Sequence, residues 1–419
     1  MSNLSTKEIF QSLKKISNIF PNKNWVIAYS GGIDSTVLLH AACQISKKIR
    51  AIHIDHRFNE NSKLWAKHCI NFARKLKILC NSYKLQNYKI LGCKNQEIFG
   101  RKERYRIFAK KIQSNEILLM AHQLNDQAET IFLNLMRGSG ILGISGIPIK
   151  RNLGNSLLYR PFLNIEKYKI QEYAKIKKLS WIEDPSNKNI HFNRNYVRNV
   201  ILPHFLKRWP NTLFAINQSS KYCRDSYLLI QSHINSLIKN KNKNLSSLSI
   251  TWIQTFSKIY QDSIIRIWFS SVTNTVLPRK SLKHIYLNIL QAKKDSNPLL
   301  KIGKWNIRRY KKYIYIVKYT KTSSNINYCI PWNGKNGIKI PGLSIMLFSN
   351  DISHLIDCKK LKWSNVSIRN RINVKNSLNI KSKKLKKIYQ KMSIPPWERD
   401  TTPLLFENKQ LKIAISIKK

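Results

Sequence analysis

The sequence predicts an α/β fold: a doubly wound parallel sheet at the N-terminus, then a mainly helical domain and a small α+β domain. Three observations predict it. Strand-like and helix-like segments alternate through residues 1–215, the first strand ends in a Ser-Gly-Gly turn that opens a helix, and helices take over beyond Pro203. Ile9, Leu13, Ile16 and Phe20 recur at helical spacing with Lys14 and Lys15 outward, so the chain opens with a packed amphipathic helix. Met1–Phe20 lacks the compact apolar core and cleavage site of a secretory signal. Trp25–Tyr29 is a short run of strand formers, and Ser35–Ile49 reads as the helix that follows its turn. Ala51–Asp55 is a second strand, Ser62–Leu76 and Glu97–Lys111 are helices, and Glu116–Ala121 is another strand. Such alternation implies parallel strands with right-handed crossovers, whose ligands sit beyond the carboxyl ends of the strands.

Beyond Pro203, Tyr227–Ile238 and Ile264–Phe269 carry helical apolar faces, joined by a polar connection at Lys239–Asn244. Trp305–Tyr319 alternates as strands do, and the Ser-, Asn-, Gly- and Pro-rich stretch Thr320–Gly342 marks a boundary. A small module with a very basic helix, Lys381–Met392, completes the chain. The expected domains are 1–215, 216–320 and 321–419, with no internal repeat.

The chain has 419 residues, with 75 Lys+Arg against 21 Asp+Glu, a formal charge of +54. Part of that excess is what drift toward A+T-rich codons would give, since Ile, Lys and Asn are abundant throughout. The remainder points to a polyanion, with nucleic acid the first candidate. No stretch approaches a membrane span. The seven scattered cysteines form no Cys-x-x-Cys pair, which argues against a disulfide framework or structural zinc and favours the reducing cytoplasm.

The turn Ser30-Gly31-Gly32-Ile33-Asp34-Ser35 carries the first chemistry. Two glycines let backbone N–H groups wrap an anion at the positive end of the next helix, and Ser30 and Ser35 add hydroxyl donors. The Gly-Lys-Ser/Thr ending of a Walker A loop is absent. Asp34 would repel a phosphate unless a cation lay between them, which implies Mg²⁺ bridged by that carboxylate. The same residues also suit a plain Gly-Gly turn with a capped helix. After the Glu116–Ala121 strand, His122, Asp126 and Glu129 fall at i, i+4 and i+7, so a helix would put them on one face, able to hold a metal or an ammonium group. An ordinary solvated helix face remains the alternative.

The loop closely resembles the PP-loop of the N-type ATP pyrophosphatases, which cleave ATP between the α and β phosphates and transfer AMP to a substrate oxygen. His122-Gln-Leu-Asn-Asp126-Gln-Ala-Glu129 through Arg137-Gly-Ser-Gly-Ile-Leu-Gly-Ile-Ser-Gly146 resembles the tRNA(Ile)-lysidine synthases more narrowly. His53-Ile-Asp-His56, Arg101-Lys-Glu-Arg104-Tyr105, Arg160-Pro-Phe-Leu163, Trp181–Asn187, Arg194-Asn-Tyr-Val-Arg198, Lys383-Lys-Leu-Lys386 and Ile394-Pro-Pro-Trp-Glu-Arg399 agree in order and spacing. The resemblance is strong over 25–210 and thinner over 216–380. The sequence departs from the family where Asn125 replaces an acid beside Asp126, where Arg57 replaces a frequent glycine, and where the glycine pair before the terminal helix is missing.

That resemblance implies an ATP- and Mg²⁺-dependent ligase that joins free lysine to C2 of the wobble cytidine of a CAU-anticodon isoleucine tRNA. It implies ATP at Ser30–Ser35, with Asp34, Arg104 and Asp126 catalytic and His122, Asp126 and Glu129 holding lysine. Arg194, Arg198, Lys383, Lys384, Lys386, Lys387 and Arg399 are the expected tRNA contacts; a homodimer is an open option. Asp55, His53 and His56 are expected beside the nucleotide, not on a metal, and Trp397 inside the terminal module. The rivals are a tRNA thiolase, which generally needs cysteine pairs, a small-metabolite amide ligase, for which the charge is surplus, and a non-catalytic RNA-binding protein.

Overall fold

The computed structural model describes residues 2–55, 61–85, 93–241, 244–293, 296–319, 327–341, 346–353, 361–377 and 382–415, without the side chains of 2–3, 93–98, 375–377 and 382–384. The chain divides into two units, residues 1–230 and 231–419. The division falls inside one long helix, Thr212–Lys241, which runs unbroken over 30 residues.

The first unit holds, in chain order, α1 (Ser2–Ile19), β1 (Asn24–Ala28), α2 (Ile33–Cys43), β2 (Ile49–Asp55), α3 (Ser62–Lys75), β3 (Leu79–Lys84), α4 (Cys93–Lys111), β4 (Glu116–Leu119), α5 (Leu124–Met136), α6 (Ile141–Ile144), β5 (Lys150–Leu153), β6 (Ser156–Tyr159), α7 (Lys167–Ile176), α8 (Asn193–Tyr196), α9 (Leu202–Arg208) and the start of α10 (Thr212–Lys241). The sheet order is β3-β2-β1-β4-β6-β5, parallel except for β5. Successive residues of β1 point to opposite faces. Trp25, Ile27 and Tyr29 join Ile9, Leu13 and Ile16 of α1 and Val37, Leu38 and Leu39 of α2 in one core. Val26 joins Phe108 of α4, Ile112 just beyond it, Leu118 and Met120 in the other. The sheet is thus covered on both sides, as parallel sheets must be. The strand order reverses between β1 and β4, and that switch point opens a crevice at the strand ends.

The second unit contains a four-stranded antiparallel sheet, Ser247–Ser249, Leu299–Ile302, Trp305–Tyr310 and Tyr313–Lys318, packed on helices Lys258–Thr273 and Arg279–Ile285 through Ile265, Trp268, Ile285, Ile307 and Ile314. A second antiparallel sheet joins Cys329–Pro331, Val366–Arg369, Leu404–Glu407 and Gln410–Ala414. The basic helix runs Ser382–Lys391, burying Leu385 and Tyr389 and exposing Lys386 and Lys387. No helix among the described residues is long and apolar enough to cross a membrane.

Candidate active site

The crevice is lined by Ala28, Tyr29 and Ser30 from the end of β1, Asp34 and Ser35 from α2, Ile52 and Ile54 from β2, Arg104 and Phe108 from α4, and Met120, Ala121 and His122 beyond β4. Ser35 shapes the loop. Its Oγ accepts from the Ser30 N–H at 3.2 Å, donates to the Gly32 carbonyl at 2.9 Å and lies 3.0 Å from Ser30 Oγ. Gly31 has φ of 87°, and a Cβ there would meet Ile182 Cδ1 at 2.6 Å and Cys69 Sγ at 2.8 Å. Gly32 is different. It caps α2 in extended backbone, a Cβ there would meet only Ser30 Oγ at an ordinary 3.7 Å, and no side-chain cap closes the helix start. The first N–H groups of α2 are therefore free to receive an anion. We expect Gly31→Ala to lower the melting temperature by about 5 °C or more, and Gly32→Ala to melt within about 2 °C of the parent. Equal melting of the two variants would contradict the assignment of strain to Gly31 alone.

Asp34 and Arg104 meet this cavity with unfinished chemistry. Asp34 Oδ1 and Arg104 Nε are buried without a hydrogen-bond partner. Burial, reinforced by Asp126, pushes the Asp34 carboxyl up to about 7. A carboxylate so placed fits a divalent cation, which would take one protein carboxylate and complete its shell with phosphate and water oxygens. No group of three or more His, Cys, Asp or Glu among the described residues forms a separate metal cluster.

The second expected cluster is rearranged. Helix α5 starts at Leu124, capped by Gln123, whose side chain accepts from Asn125 N–H while Asp126 Oδ2 accepts from Gln123 N–H at 3.0 Å. His122 therefore stands outside the helix, and the common face expected for His122, Asp126 and Glu129 does not form. Its Nδ1 accepts from Arg160 Nε at 3.2 Å. Burial and the surrounding arginines hold the ring well below its usual pKa. A neutral imidazole with Nδ1 engaged carries its proton on Nε2 and has no lone pair for an ammonium group. His122 therefore offers the cavity a hydrogen-bond donor.

Asp126 and Glu129 are also engaged. Arg194 donates Nη2 to Asp126 Oδ1 and Nε to Glu129 Oε2, both at 2.7 Å; Arg198 donates Nε to Glu129 Oε1 at 2.6 Å and Nη2 to Glu129 Oε2 at 3.0 Å. The two arginines expected on tRNA phosphates thus close a four-charge network. A π-turn at Val197–Ile201 carries Arg198 into place, where Pro203 lacks the N–H needed for a regular helix. Asn125, at the family's missing acid, accepts the Lys167 N–H at 3.3 Å and so ties α5 to the start of α7.

The remaining expectations separate. His53 is buried with Nδ1 bonded to the Tyr29 carbonyl at 3.0 Å, and Asp55 is buried at the end of β2. His56 lies outside the described residues, as do the side chains of Lys383 and Lys384. Arg399 Nε donates to the Ile394 carbonyl at 3.2 Å, within its own module. Trp397 leaves its module to pack edge-on against Tyr310 and Tyr315 of the neighbouring hairpin, ring centroids 6.3 and 5.3 Å away. Sequence reasoning missed Arg160 and Arg151 as parts of the site region. An arginine embedded in the apolar run Tyr159–Leu163 was the available signal for Arg160.

Comparison with known proteins narrows this geometry. Residues 5–205 match the PP-loop domain family, 248–315 the TilS substrate binding domain and 366–419 the TilS substrate C-terminal domain. The tRNA(Ile)-lysidine synthase of Buchnera aphidicola subsp. Schizaphis graminum (strain Sg) is 38% identical over 415 residues, covering 97% of this chain and 92% of that one. The chain belongs to the tRNA(Ile)-lysidine synthase family. The tRNA(Ile)-lysidine synthase of Coxiella burnetii (strain RSA 493 / Nine Mile phase I) is 34% identical over 94% of this chain and 89% of its own. Among solved structures, the U34-tRNA thiolase NcsA from Methanococcus maripaludis aligns with a TM-score of 0.43 and 18% identity over 53% of this chain and 79% of that one. The lysidine synthase relationship spans all three matched regions, and the chain is an ATP-using ligase of the PP-loop class.

Proposed function

We propose that the protein joins lysine to C2 of the wobble cytidine of a CAU-anticodon isoleucine tRNA, through an adenylated base. The observation that carries this reading is the pair of unsatisfied buried groups, Asp34 Oδ1 and Arg104 Nε, in one cavity at the free N-terminus of α2. Magnesium-bound triphosphate would complete both, with the cation held at Asp34 and a phosphate oxygen accepting from Arg104. The α2 N–H groups, Ser30 and Ser35 would hold its oxygens, and Arg104 would face the charge that grows at the α-phosphate. Mg²⁺, when bound through Asp34, would supply charge neutralisation at the phosphates. The cytosine C2 oxygen attacks the α-phosphate and pyrophosphate leaves; the ε-amine of lysine then attacks C2 and AMP leaves. Adenylation is needed because a ring carbonyl oxygen is a poor leaving group. The wobble base must be turned out of the anticodon loop to reach the cavity.

Asp126 is the carboxylate that we assign to the lysine amine, since it keeps more exposure than Glu129, whose side chain is fully buried. Glu129 would position the two arginines. His122 Nε2–H would donate to the base carbonyl or a phosphate oxygen. Lys386 and Lys387 are exposed and remain our proposed tRNA backbone contacts, with Lys383 and Lys384 on the same helix. The thiolase reading is disfavoured by the thiols themselves: burial pushes Cys69 up to about 12 and Cys80 up to about 11, leaving almost no thiolate at neutral pH.

Purified protein, Mg·ATP, radiolabelled lysine and the CAU-anticodon transcript provide the test. We expect one lysine incorporated per tRNA with matching AMP release. Sulfur-dependent modification, or RNA binding without ATP turnover, would overturn the reading.

A further inference from the structure

Four arginines converge on one phenol beside the nucleotide cavity. Arg151 of β5 lies with Cζ 4.1 Å from the centroid of the Tyr105 ring, and Arg101 and Arg104 of α4 lie at 5.6 and 5.8 Å. Arg160, just past β6, reaches the Tyr105 hydroxyl with Nη2 at 3.5 Å, while its Nη1 donates to the Pro148 carbonyl at 2.6 Å. Among the described residues none of the four pairs with a carboxylate; the nearby Glu103 is turned to Arg106 at 2.6 Å. Like charges gathered without counterions repel, and such a cluster is stable in a fold when an anion completes it. The cluster runs outward from the cavity, where Arg104 sits, to Arg101 and Arg151, which are exposed.

We infer that Arg101 and Arg151, backed by Arg160 and the Tyr105 ring, form a phosphate-binding seat distinct from the loop at Ser30–Ser35. Guanidinium forks match phosphate oxygens in pairs, and stacking on an aromatic ring fixes their orientation. The arginines also draw the Tyr105 phenol below its ordinary pKa against the effect of burial, which reports a strong positive potential at the ring. Phosphate reaches this place from two sources: the phosphodiester beside an extruded wobble nucleotide, or pyrophosphate leaving the cavity. Naming RNA as one source rests on the proposed function; the seat itself rests on the cluster.

Two probes separate the sources, a CAU-anticodon stem-loop and inorganic pyrophosphate, each titrated against the full chain and its R101Q, R151Q and R101Q/R151Q variants. Both positions are exposed, and thermal melting checks that each variant is folded. We expect the double variant to lose about tenfold or more in affinity for one probe. Loss confined to the stem-loop, with the log–log salt slope reduced by about one unit, assigns the phosphodiester. Loss confined to pyrophosphate assigns the leaving group. Unchanged affinity for both in a folded double variant, or in folded R151Q and R101Q alone should the double variant not fold, overturns the seat. If the parent chain binds both probes but incorporates no lysine, the proposed function fails while the seat stands.

Discussion

Replacing Asp34 by asparagine is expected to abolish ATP turnover and, at the same time, to make the ligand-free protein harder to unfold. The carboxylate is buried, one oxygen has no partner, and its pKa is raised to about 7. Between about 4 and 7 the folded state then binds more protons than the unfolded chain, so stability falls as pH rises through that window. Above pH 7 the whole penalty is present, up to about 4 kcal/mol for a shift of this size. Asparagine removes the charge and keeps the shape. In the absence of divalent ions the variant should melt higher than the parent at pH 8, and the difference should shrink toward zero near pH 4. Turnover should fall by about a thousandfold or more. A variant that melts lower than the parent at pH 8, or retains parental turnover, would contradict the role assigned to Asp34.

Truncating Glu129 to alanine is the next largest expected effect. Its fully buried carboxylate accepts from both Arg194 and Arg198, so removal leaves two guanidinium groups facing one remaining acid. Breaking a buried pair in this way costs about 3–5 kcal/mol. The arginines retain 33% and 26% exposure, so the lower end of that range is the better expectation. Denaturant unfolding of E129A, R198A and the double variant measures it, and the double variant should regain part of the loss. Strict additivity would show that the network is not coupled.

The fate of particular residues shows what the sequence could and could not display. The Ser30–Ser35 loop was legible because every part lies within six residues, and local spacing decides which groups can meet. The parallel sheet was legible from β1, β2 and β4, whose apolar runs are buried on both faces. β3 was not, because Leu79 is exposed and the rest of this edge strand is mixed in character. The charge network was hidden by distance along the chain: Arg194 and Arg198 are 65 to 72 residues from their partners, and no periodicity links them. The one-turn spacing of Arg194 and Arg198 fits two carboxylates as well as the two phosphates of an expected tRNA contact, so spacing alone did not announce the network. The misplaced face at His122 has a smaller cause. Glutamine is not among the usual N-caps, so nothing in the pattern announced that α5 would begin two residues later. Trp397 likewise found its partners, Tyr310 and Tyr315, across a sequence gap that no local rule spans.

The central claim is that the loop and its buried acid present the α-phosphate of ATP to a base oxygen of the RNA. ATP labelled in the α-phosphate, incubated with the protein, Mg²⁺ and the CAU-anticodon transcript while lysine is withheld, tests it most directly. Label should appear on the RNA and then be released as AMP when lysine is added. Production of ADP, or lysine incorporation with no label ever reaching the RNA, would contradict the account.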